Sequence, residues 1–373
     1  MSTANRSSPF RRIGIVGVGL IGGSIGLALR RTGYAGSIVG ISRPETVEKA
    51  VSLGAVDEGR DYDEVDRGLA EADLVFLCSP IRHIIDFLPA VMAAVPAGAL
   101  VTDAGSTKRR IVDAAAASGR SDAWFLGGHP MAGSEKSGVT AADPFLFQNA
   151  IYILVPDAAV PEDLHQGLRD LLRGLGARVL ELSAEDHDMV VAAISHLPQL
   201  LATSLVEMVG LLDEEREGLL LTLAAGGFRD LTRIASSPFE PVWNDICATN
   251  PDRIREMVDR FQARLAEVRD KVGAAALEAD FEYANRIRDG IPRDAKGFIH
   301  RLAEVLVVCE DRPGVIAEIA SVLAEKGVNI NDIEVMKVRE GEGGTLRLGF
   351  DADDVADRAV ETLEAVGYRA RRP

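Results

Sequence analysis

Cysteine is scarce in this sequence, and the few cysteines that occur are far apart. The 373 residues contain three, Cys78, Cys247 and Cys309, with no C-x-x-C spacing. Disulfide frameworks and structural zinc sites both need cysteines at short, regular spacing. We therefore expect reduced structural thiols, and the sequence predicts no metal site.

Positive charge and long apolar runs are also lacking. The 57 Asp and Glu residues outnumber the 41 Lys and Arg residues, and the net charge of -16 opposes binding to phosphate backbones and anionic lipid. The N-terminal letters MSTANRSSPFRR lack the apolar core of a signal peptide, and no stretch reaches the roughly 18 uninterrupted apolar residues of a membrane span. The sequence predicts a cytoplasmic protein with no nucleic-acid partner and no membrane association.

Apolar residues are nevertheless plentiful, at 47% of the chain, which is enough for two or three globular domains. Residues 1–183 alternate short apolar runs with helix-like stretches. The runs are continuous, and each closes on Gly, Pro or Ser, which is typical of buried parallel strands in an α/β sheet. They occupy residues 12–19, 36–42, 72–80, 98–106, 150–156 and 177–183.

The rest of the chain follows different patterns. Residues 184–290 predict an all-helical substrate and dimerisation domain, with long helices over 185–212 and 250–290, the second charged enough to be solvated or to lie beside another subunit. Residues 291–298, IPRDAKGF, combine Pro, Gly and charge, as expected for a linker. Residues 299–373 follow a β-α-β-β-α-β order, which predicts a ferredoxin-like α+β domain.

The string GVGLIGGS follows the first predicted strand and opens a helix. Gly17, Gly19 and Gly22 form G-x-G-x-x-G, in which the first permits a tight turn, the second lets a pyrophosphate approach the backbone, and the third permits close packing of helix on strand. Leu20 and Ile21 begin the helix, whose N-terminus favours anions. This context predicts a Rossmann-like dinucleotide site. A tight turn without a ligand is the weaker alternative.

The end of the second predicted strand bears on the choice of cofactor. An Asp or Glu there binds the ribose 2'-hydroxyl of NAD, whereas an arginine accommodates the 2'-phosphate of NADP. This chain has Ser42 and Arg43, which slightly favours NADP and leaves NAD open, since a solvated surface arginine is an almost equal alternative. Ser79 and Pro80 close the third run at the same predicted sheet edge and are assigned to the cofactor site.

Two polar stretches contain histidines. Residues 127–138, GGHPMAGSEKSG, look too polar and broken for core, and we interpret them as an adaptable loop that closes over the ligands. Because the carboxyl ends of parallel strands face the ligand crevice, we expect Ser106 and His129 to face the nicotinamide. A second stretch, SHLPQ, places His196 and Gln199 on an otherwise apolar helix. A lone buried histidine is usually a satisfied core residue, but two of them beside helix-breaking residues indicate a site.

The chain resembles a known family through five motifs in the family's order: GVGLIGGS, DAGSTK, GGHPMAGSEKSG, SHLPQ and GGFRDLTRIASSPFEPVW. The family is that of the prephenate/arogenate (cyclohexadienyl) dehydrogenases of tyrosine biosynthesis. The tail, VVCEDRPGVIAEIASVLAEKGVNINDIEV, resembles an ACT regulatory domain. The resemblance covers nearly the whole chain after the first ten residues. It implies oxidative decarboxylation of prephenate to 4-hydroxyphenylpyruvate, with hydride transfer to NAD or NADP.

The resemblance also implies roles for individual residues. His129 would accept the proton of the ring hydroxyl as hydride leaves C4, which suits a neutral histidine. Ser106 would bind that hydroxyl and orient His129. Arg233, helped by His196, would bind the substrate carboxylates through its planar fork of donors.

Three further site residues follow from the same resemblance. Asp230 would position Arg233 or close an ion pair, and Trp243 would pack at the site or across a dimer interface. Gln199 stands where many family members carry histidine. An acidic side chain there would favour the ammonium group of arogenate, so a neutral amide favours prephenate while strict preference stays open.

The tail implies an effector site. Asp311, Pro313 and Gly314 lie at the predicted strand-to-helix turn, whose amides would bind an amino-acid carboxylate, and Asn329 with Ile330 would meet the ammonium group. Tyrosine is the expected effector. Because ACT domains generally bind ligand between copies, a homodimer is expected. A purely structural dimerisation module is the alternative.

Two other functions are disfavoured by the residues. A dehydrogenase of the 3-hydroxyacid or 6-phosphogluconate kind should carry a catalytic lysine on the long helix, where this chain has SHLPQ. A non-enzymatic regulator that senses a dinucleotide and an amino acid would have no need of the polar side chains that the five motifs contain.

Overall fold

A computed structural model of the chain describes residues 9–133, 136–273, 276–291, 302–310, 312–336 and 344–372. The chain divides into two compact units, Met1–Ala276 and Leu277–Pro373. Apart from Ile291, the predicted linker lies outside the described residues, as does Asp311 of the predicted effector site.

The first unit is built on one mixed sheet. Within residues 9–133 and 136–273 its strands are β1 (Arg12–Val16), β2 (Ser37–Ile41), β3 (Glu58–Arg60), β4 (Leu74–Leu77), β5 (Leu100–Asp103), β6 (Trp124–Pro130), β7 (Ile151–Val155) and β8 (Arg178–Glu181). They lie in the order β3-β2-β1-β4-β5-β6-β7-β8. All neighbours are parallel except β6 and β7. The six predicted strands are present, and the sequence pattern misses β3 and β6.

Both faces of this sheet are covered, which explains the continuous apolar runs. Leu74 and Phe76 of β4 belong to one hydrophobic cluster, whereas Val75 and Leu77 belong to another. Successive residues of a strand point to opposite faces, so both faces must be buried. The covering helices are α1 (Leu20–Arg31), α2 (Pro44–Ser52), α3 (Val65–Leu69), α4 (Ile81–Ala94), α5 (Arg109–Ala117) and α6 (Glu162–Gly174).

Strand β6 corrects the interpretation of residues 127–138 as an adaptable loop. Residues 127–130 are the last four of the strand, and all four are buried. Gly128 has no room for a side chain, because a Cβ there would lie 2.5 Å from the carbonyl oxygen of Asp103. The expectation of a wholly parallel sheet is also wrong, since β6 runs antiparallel to β7. These small residues permit close strand packing, and the connecting segment begins only after Pro130.

Residues 184–273 are mainly helical, and their first helix is composite. α7 (Ala184–Val191) continues through a π-helical turn (Ala192–His196) into α8 (Leu197–Glu214). Then come α9 (Leu219–Leu223), α10 (Gly226–Thr232), α11 (Asn244–Thr249) and α12 (Pro251–Lys271), with α13 (Glu278–Gly290) in the second unit. The helix predicted over 250–290 is thus two helices. Gly273, at φ +85°, adopts the left-handed conformation that commonly follows a helix end.

The composite helix Ala184–Glu214 is long and apolar enough to cross a membrane by length and composition alone, and 28% of its most apolar stretch is buried in this fold. It also carries buried ionisable groups, His187, Asp188 and His196, which are costly in lipid. Apolar side chains are exposed along α8 to α11 and the turns between them, as at a subunit interface. They include Met208, Leu211, Leu212, Leu219, Leu221, Leu223, Leu231, Phe239 and Val242.

Besides α13, the second unit contains a small α+β fold. Its remaining elements are β9 (Ala303–Cys309), α14 (Val315–Glu325), β10 (Asp332–Met336), β11 (Gly344–Phe350), α15 (Asp353–Ala365) and β12 (Arg369–Arg371). The strand order is β10-β11-β9-β12, with antiparallel neighbours. Ile319 of α14 and Leu363 of α15 share one buried cluster with Val305 of β9. The predicted ferredoxin-like order is confirmed.

Candidate active site

The turn from β1 to α1 has the geometry of a phosphate cradle. Gly17 has φ +87°, and a Cβ on it would lie 2.5 Å from a serine hydroxyl of the β4–α4 turn. A Cβ on Gly22 would lie 2.4 Å from the Gly17 carbonyl oxygen, whereas one on Gly19 would meet nothing within 4 Å. The space beside Gly19 is therefore open to a ligand. The amides of Leu20 and Ile21 lie in the first helical turn, where amides have no helical partner.

The strand ends beside this cradle are polar. Ser42 is buried, and its amide donates to the Arg60 carbonyl oxygen at 3.1 Å. Arg43 is exposed and precedes α2. In the part of the chain that the structure describes, the buried Ser79 hydroxyl has no hydrogen-bond partner, and Pro80 follows it as the cap of α4. The Ser79 hydroxyl is therefore available to form a hydrogen bond with a bound dinucleotide.

A buried ion pair joins the ends of β5 and β6. Asp103 and Lys108 are both 0% exposed. The Lys108 ammonium donates to the Asp103 carboxylate and, at 2.7 Å, to the Gly128 carbonyl oxygen, while Asp103 accepts the Gly128 amide at 3.0 Å. Burial lowers the pKa of Lys108, and the charge of Asp103 opposes that change. The pair fixes the strand end that carries His129.

Three side chains form a continuous line of contacts next to this ion pair. The Nδ1 atom of His129 lies 2.8 Å from Nε2 of His187, and Nδ1 of His187 lies 2.8 Å from Oδ1 of Asp188. His129 is 9% exposed, and the other two are completely buried. Asp188 also accepts the backbone amides of Lys108 at 2.7 Å and of Arg109 at 3.1 Å. Helix α7 is thereby joined to the start of α5.

Burial determines the protonation of this line. It lowers the pKa of His129 well below the ordinary value, and the nearby His187 and Lys108 lower it further. Burial also lowers the pKa of His187, although its hydrogen bond with Asp188 opposes the change. For Asp188, burial raises the pKa, but hydrogen bonds from His187 and two amides outweigh burial and lower it. At neutral pH, two neutral imidazoles thus stand beside an ionised carboxylate.

The π-helical turn brings His196 to the same side as this line. In an uninterrupted α-helix, His196 would point about 80° away from the direction of Asp188, and the extra residue of a π turn reduces this to about 20°. The Leu197 amide donates to the Ala192 carbonyl oxygen, five residues back. His196 is 1% exposed, and burial lowers its pKa to about 4. Within the described residues its buried Nδ1 has no partner.

The other predicted substrate residues are divided between buried and exposed positions. Gln199 is 6% exposed and donates weakly to Thr203, at 3.5 Å. Trp243 is half-buried, with its ring edge-on to that of His196 at 6.1 Å between centroids. Asp230 and Arg233 lie on the exposed surface of α10 and the turn after it. The structure therefore does not bury these two with His129 and His196.

Ser106 and the described residues of the predicted effector site lie at half-buried or exposed positions. Ser106 is half-buried between β5 and α5. Among the described residues, no hydrogen bond joins Ser106 to His129, whose paired nitrogen contacts His187 instead. In the second unit Gly314 has φ +90° and caps α14. Pro313 and Asn329 are exposed, and Ile330 is half-buried.

Sequence reasoning missed His187, Asp188, Asp103 and Lys108. Asp103 and Lys108 are the first and last letters of DAGSTK, so the motif contained them, but nothing in the letters marks a lysine as buried. His187 and Asp188 lie in EDHD, where charged neighbours at a helix start indicate a solvated first turn. Their burial depends on α7 packing against α5, which is a long-range contact.

Comparison with known proteins gives a consistent result. The family model for the nucleotide-binding domain of prephenate dehydrogenase matches residues 25–181, and the model for its dimerization domain matches residues 183–285. The ACT domain model matches residues 303–366. The chain is 39% identical to a prephenate dehydrogenase of Bacillus subtilis over 94% of this chain and 95% of that one.

Two solved structures are each similar to 75% of this chain. One is prephenate dehydrogenase from Aquifex aeolicus with hydroxyphenyl propionate and NAD+, at TM-score 0.69 and 32% identity, covering 75% of this chain and 96% of that one. The other is Synechocystis arogenate dehydrogenase, at TM-score 0.66 and 32% identity, covering 75% and 99%. Relatives with either substrate thus share this fold at equal identity.

Proposed function

The chain belongs to the prephenate dehydrogenase family, and we propose that His129 is the base of its reaction. The enzyme is a nicotinamide-dependent oxidoreductase that converts prephenate to 4-hydroxyphenylpyruvate. Hydride leaves C4 for the nicotinamide, and the C4 hydroxyl proton passes to His129. The bond from C1 to the ring carboxylate then breaks, CO2 leaves, and its electron pair makes the ring aromatic. The phenolate oxygen recovers a proton from His129.

One observation carries the assignment of the base. His129 stands at the carboxyl end of β6, nearly buried, with burial holding its pKa well below the ordinary value. A neutral imidazole can accept a proton, whereas an imidazolium cannot. The carboxyl ends of the parallel strands are also where ligands bind in such sheets, so His129 lies on the edge that carries the dinucleotide turn.

Replacing His129 with Asn tests the proposal. We expect kcat with prephenate to fall by about 100- to 10,000-fold, the range for loss of a general base, while dinucleotide binding changes little. The matched control is His165→Asn, because His165 is also buried but contacts Glu181 of β8. Absorbance at 340 nm reports the rate, and quenching of protein fluorescence reports dinucleotide binding. A His129→Asn rate near that of the wild type would overturn the assignment.

The carboxylates of the substrate need hydrogen-bond donors, and the proposal assigns them to the cationic Arg233, with help from the ring N–H of a neutral His196. Asp230 positions Arg233, Trp243 packs at the site, and Ser106 binds the C4 hydroxyl. The enzyme is a dimer, as the match to a dimerization domain indicates, and the exposed apolar surface of α8 to α11 supports an interface there.

Prephenate is proposed as the preferred substrate over arogenate because the nearby polar residue is the neutral Gln199. A carboxylate at that position would pair with the arogenate ammonium group, whereas an amide gives no such charge pairing. We expect kcat/KM to be higher for prephenate and Gln199→Asp to shift the ratio toward arogenate. A much higher kcat/KM for arogenate in the wild type, with no further shift in the variant, would contradict this preference.

NADP is proposed as the slightly preferred form of the cofactor. Ser42 and Arg43 follow β2, and the turn after that strand has no carboxylate to repel a 2'-phosphate. We expect Arg43→Ala to raise KM for NADP by about 10-fold, as for loss of one charged hydrogen bond, and to leave KM for NAD within about twofold. Equal changes for both cofactors would show that Arg43 does not contact the phosphate.

Tyrosine is proposed as an effector of the second unit, within a chain organised as 1–183, 184–290 and 299–373. Support comes from the match to an ACT domain and from the left-handed Gly314 at the start of α14, where backbone amides favour a carboxylate. The proposal also assigns Asn329 and Ile330 to this site. Titration calorimetry with tyrosine and with phenylalanine tests it. Absence of both heat and inhibition would leave a structural module.

A further inference from the structure

We infer that His187 is a positioning residue that fixes the tautomer of His129, so that the Nε2 atom of His129 is the unprotonated nitrogen offered to the substrate. The inference rests on the proposed role of His129 as the base. It adds which nitrogen accepts the proton, and it names the residues, His187 and Asp188, that decide this.

The direction of the hydrogen bonds begins at Asp188, whose carboxylate is surrounded by donors. Its Oδ1 atom accepts the Lys108 amide at 2.7 Å, and its Oδ2 atom accepts the Arg109 amide at 3.1 Å and the Arg109 side-chain Nε at 3.2 Å. An ionised carboxylate can only accept hydrogen bonds. The remaining contact, with Nδ1 of His187 at 2.8 Å, must therefore be a donation from the imidazole.

Each following step is determined by the one before. A neutral His187 that carries its proton on Nδ1 has a bare Nε2, which can only accept. That atom lies 2.8 Å from Nδ1 of His129, so His129 must carry its proton on Nδ1 and leave Nε2 bare. The opposite tautomer of His129 would place two bare nitrogens at hydrogen-bond distance inside the fold, and such unpaired buried groups are costly.

The charged groups around the two imidazoles have partners of opposite charge, so both imidazoles of the line stay neutral. Lys108 is paired with Asp103, and Arg109 bridges Asp188 and Asp252. Asn250, at the start of α12, donates to the Asp188 carbonyl oxygen at 2.8 Å. His196 is a further ionisable neighbour of His129, and it is also buried. When His129 takes up the substrate proton, His187 can accept the Nδ1 hydrogen bond of the new imidazolium without changing its own protonation.

Two substitutions of His187 separate positioning from packing. Glutamine keeps an oxygen that can accept from His129 Nδ1, whereas leucine fills similar space with no acceptor. We expect His187→Leu to lower kcat by about 100-fold or more, toward the roughly 10,000-fold loss seen when a catalytic histidine has the wrong tautomer. We expect His187→Gln to stay within about 10-fold of the wild type, with KM for prephenate nearly constant in both.

The controls use a second buried histidine. His165→Leu and His165→Gln change a side chain that is 7% exposed and contacts Glu181, and we expect both to retain wild-type kcat. Circular dichroism and dinucleotide binding report folding for all four variants. Should both His187 variants fail to fold, the spectroscopic measurement on the wild-type protein still decides the tautomer.

That measurement is a long-range proton–nitrogen correlation spectrum of the wild-type enzyme labelled with 15N-histidine. The chain has six histidines, and His129→Asn identifies the His129 signals. We expect a protonated Nδ1 and a bare Nε2 at neutral pH. The reverse tautomer, or equal kcat values for the leucine and glutamine variants, would refute the inference. The base assignment fails separately, if His129→Asn itself keeps activity.

Discussion

The two halves of the candidate site are built in opposite ways. The half around His129 is buried, and its polar groups hold one another in place: Lys108 holds the end of β6, and Asp188 joins α7 to α5. The half that carries Asp230 and Arg233 is exposed on α10 and the turn after it. The atoms that would move protons are fixed in the free subunit, whereas the groups that would hold carboxylates are not enclosed.

This difference indicates that the base is positioned by buried contacts, whereas the proposed binding of the substrate carboxylates depends on exposed groups. A buried base keeps a low pKa because the fold excludes water from it. An arginine fork needs no burial to keep its charge, so the exposed Arg233 can still bind a carboxylate as proposed. Substitutions in the two halves should therefore differ in kind as well as in size.

The largest expected effect is on stability, in the buried half. Lys108→Met removes the partner of the buried Asp103 carboxylate, and loss of one member of a buried pair costs about 3–5 kcal/mol. Urea unfolding, followed by the fluorescence of Trp124 and Trp243 of the first unit, measures this change. Lys49→Met, on the exposed surface of α2, is the control and should stay within about 0.5 kcal/mol. Equal losses of unfolding free energy in both variants would show that burial of the Asp103–Lys108 pair does not determine the effect.

A second test uses pH, and it also concerns only the buried half. The unfolded chain protonates His196 near pH 6.5, whereas the folded chain does so near pH 4. The unfolded state therefore binds more protons between these values, and unfolding free energy should fall as pH falls from 6.5 to 4, by roughly 3 kcal/mol from this group at one pKa unit per 1.36 kcal/mol. His129 and His187, with lowered pKa values, act in the same direction.

The comparison for this test is between His196→Gln and Arg229→Gln, measured by urea unfolding at several pH values. The first variant lacks the buried titrating group, so its unfolding free energy should depend less on pH. The second alters an exposed side chain of α10 and should keep the wild-type slope. A wild-type slope in His196→Gln would mean that His196 is accessible to protons in the folded state.

The smallest effect is expected from Arg233→Lys, in the exposed half. The charge stays, but the planar fork is lost, so KM for prephenate should rise by about 10-fold, the size of one charged hydrogen bond. Unfolding free energy should change little because the residue is exposed. Arg260→Lys, on the exposed surface of α12, serves as the control. A fall in unfolding free energy as large as that of Lys108→Met would show that Arg233 is structural.

The sequence predicts best what is local. The glycine string and the six apolar runs depend on neighbours in the chain, and both predictions describe the fold correctly. β6 escapes prediction because Gly-Gly-His-Pro has the composition of a turn, and only the packing of Asp103 and Tyr152 against Gly128 makes glycine necessary within the strand.

The residues of the candidate site are likewise predictable only where the signal is local. His129 and His196 are identifiable because histidines next to glycine, proline or apolar residues are unusual. His187 and Asp188 are not, since their burial depends on contacts between residues 79 and 80 positions apart in sequence, from Asp188 to the amides of Arg109 and Lys108. A pattern of letters contains no information on which charged residues such a contact will bury.

The exposed apolar side chains of α8 to α11 have a consequence for how the enzyme behaves on dilution. A subunit separated from its partner would expose those side chains to water, so dissociation lowers stability and releases a species prone to aggregate. Specific activity should then depend on the concentration of the enzyme itself. In an assay dilute enough to dissociate the dimer, the measured rate would depend on the dimer dissociation constant as well as on kcat.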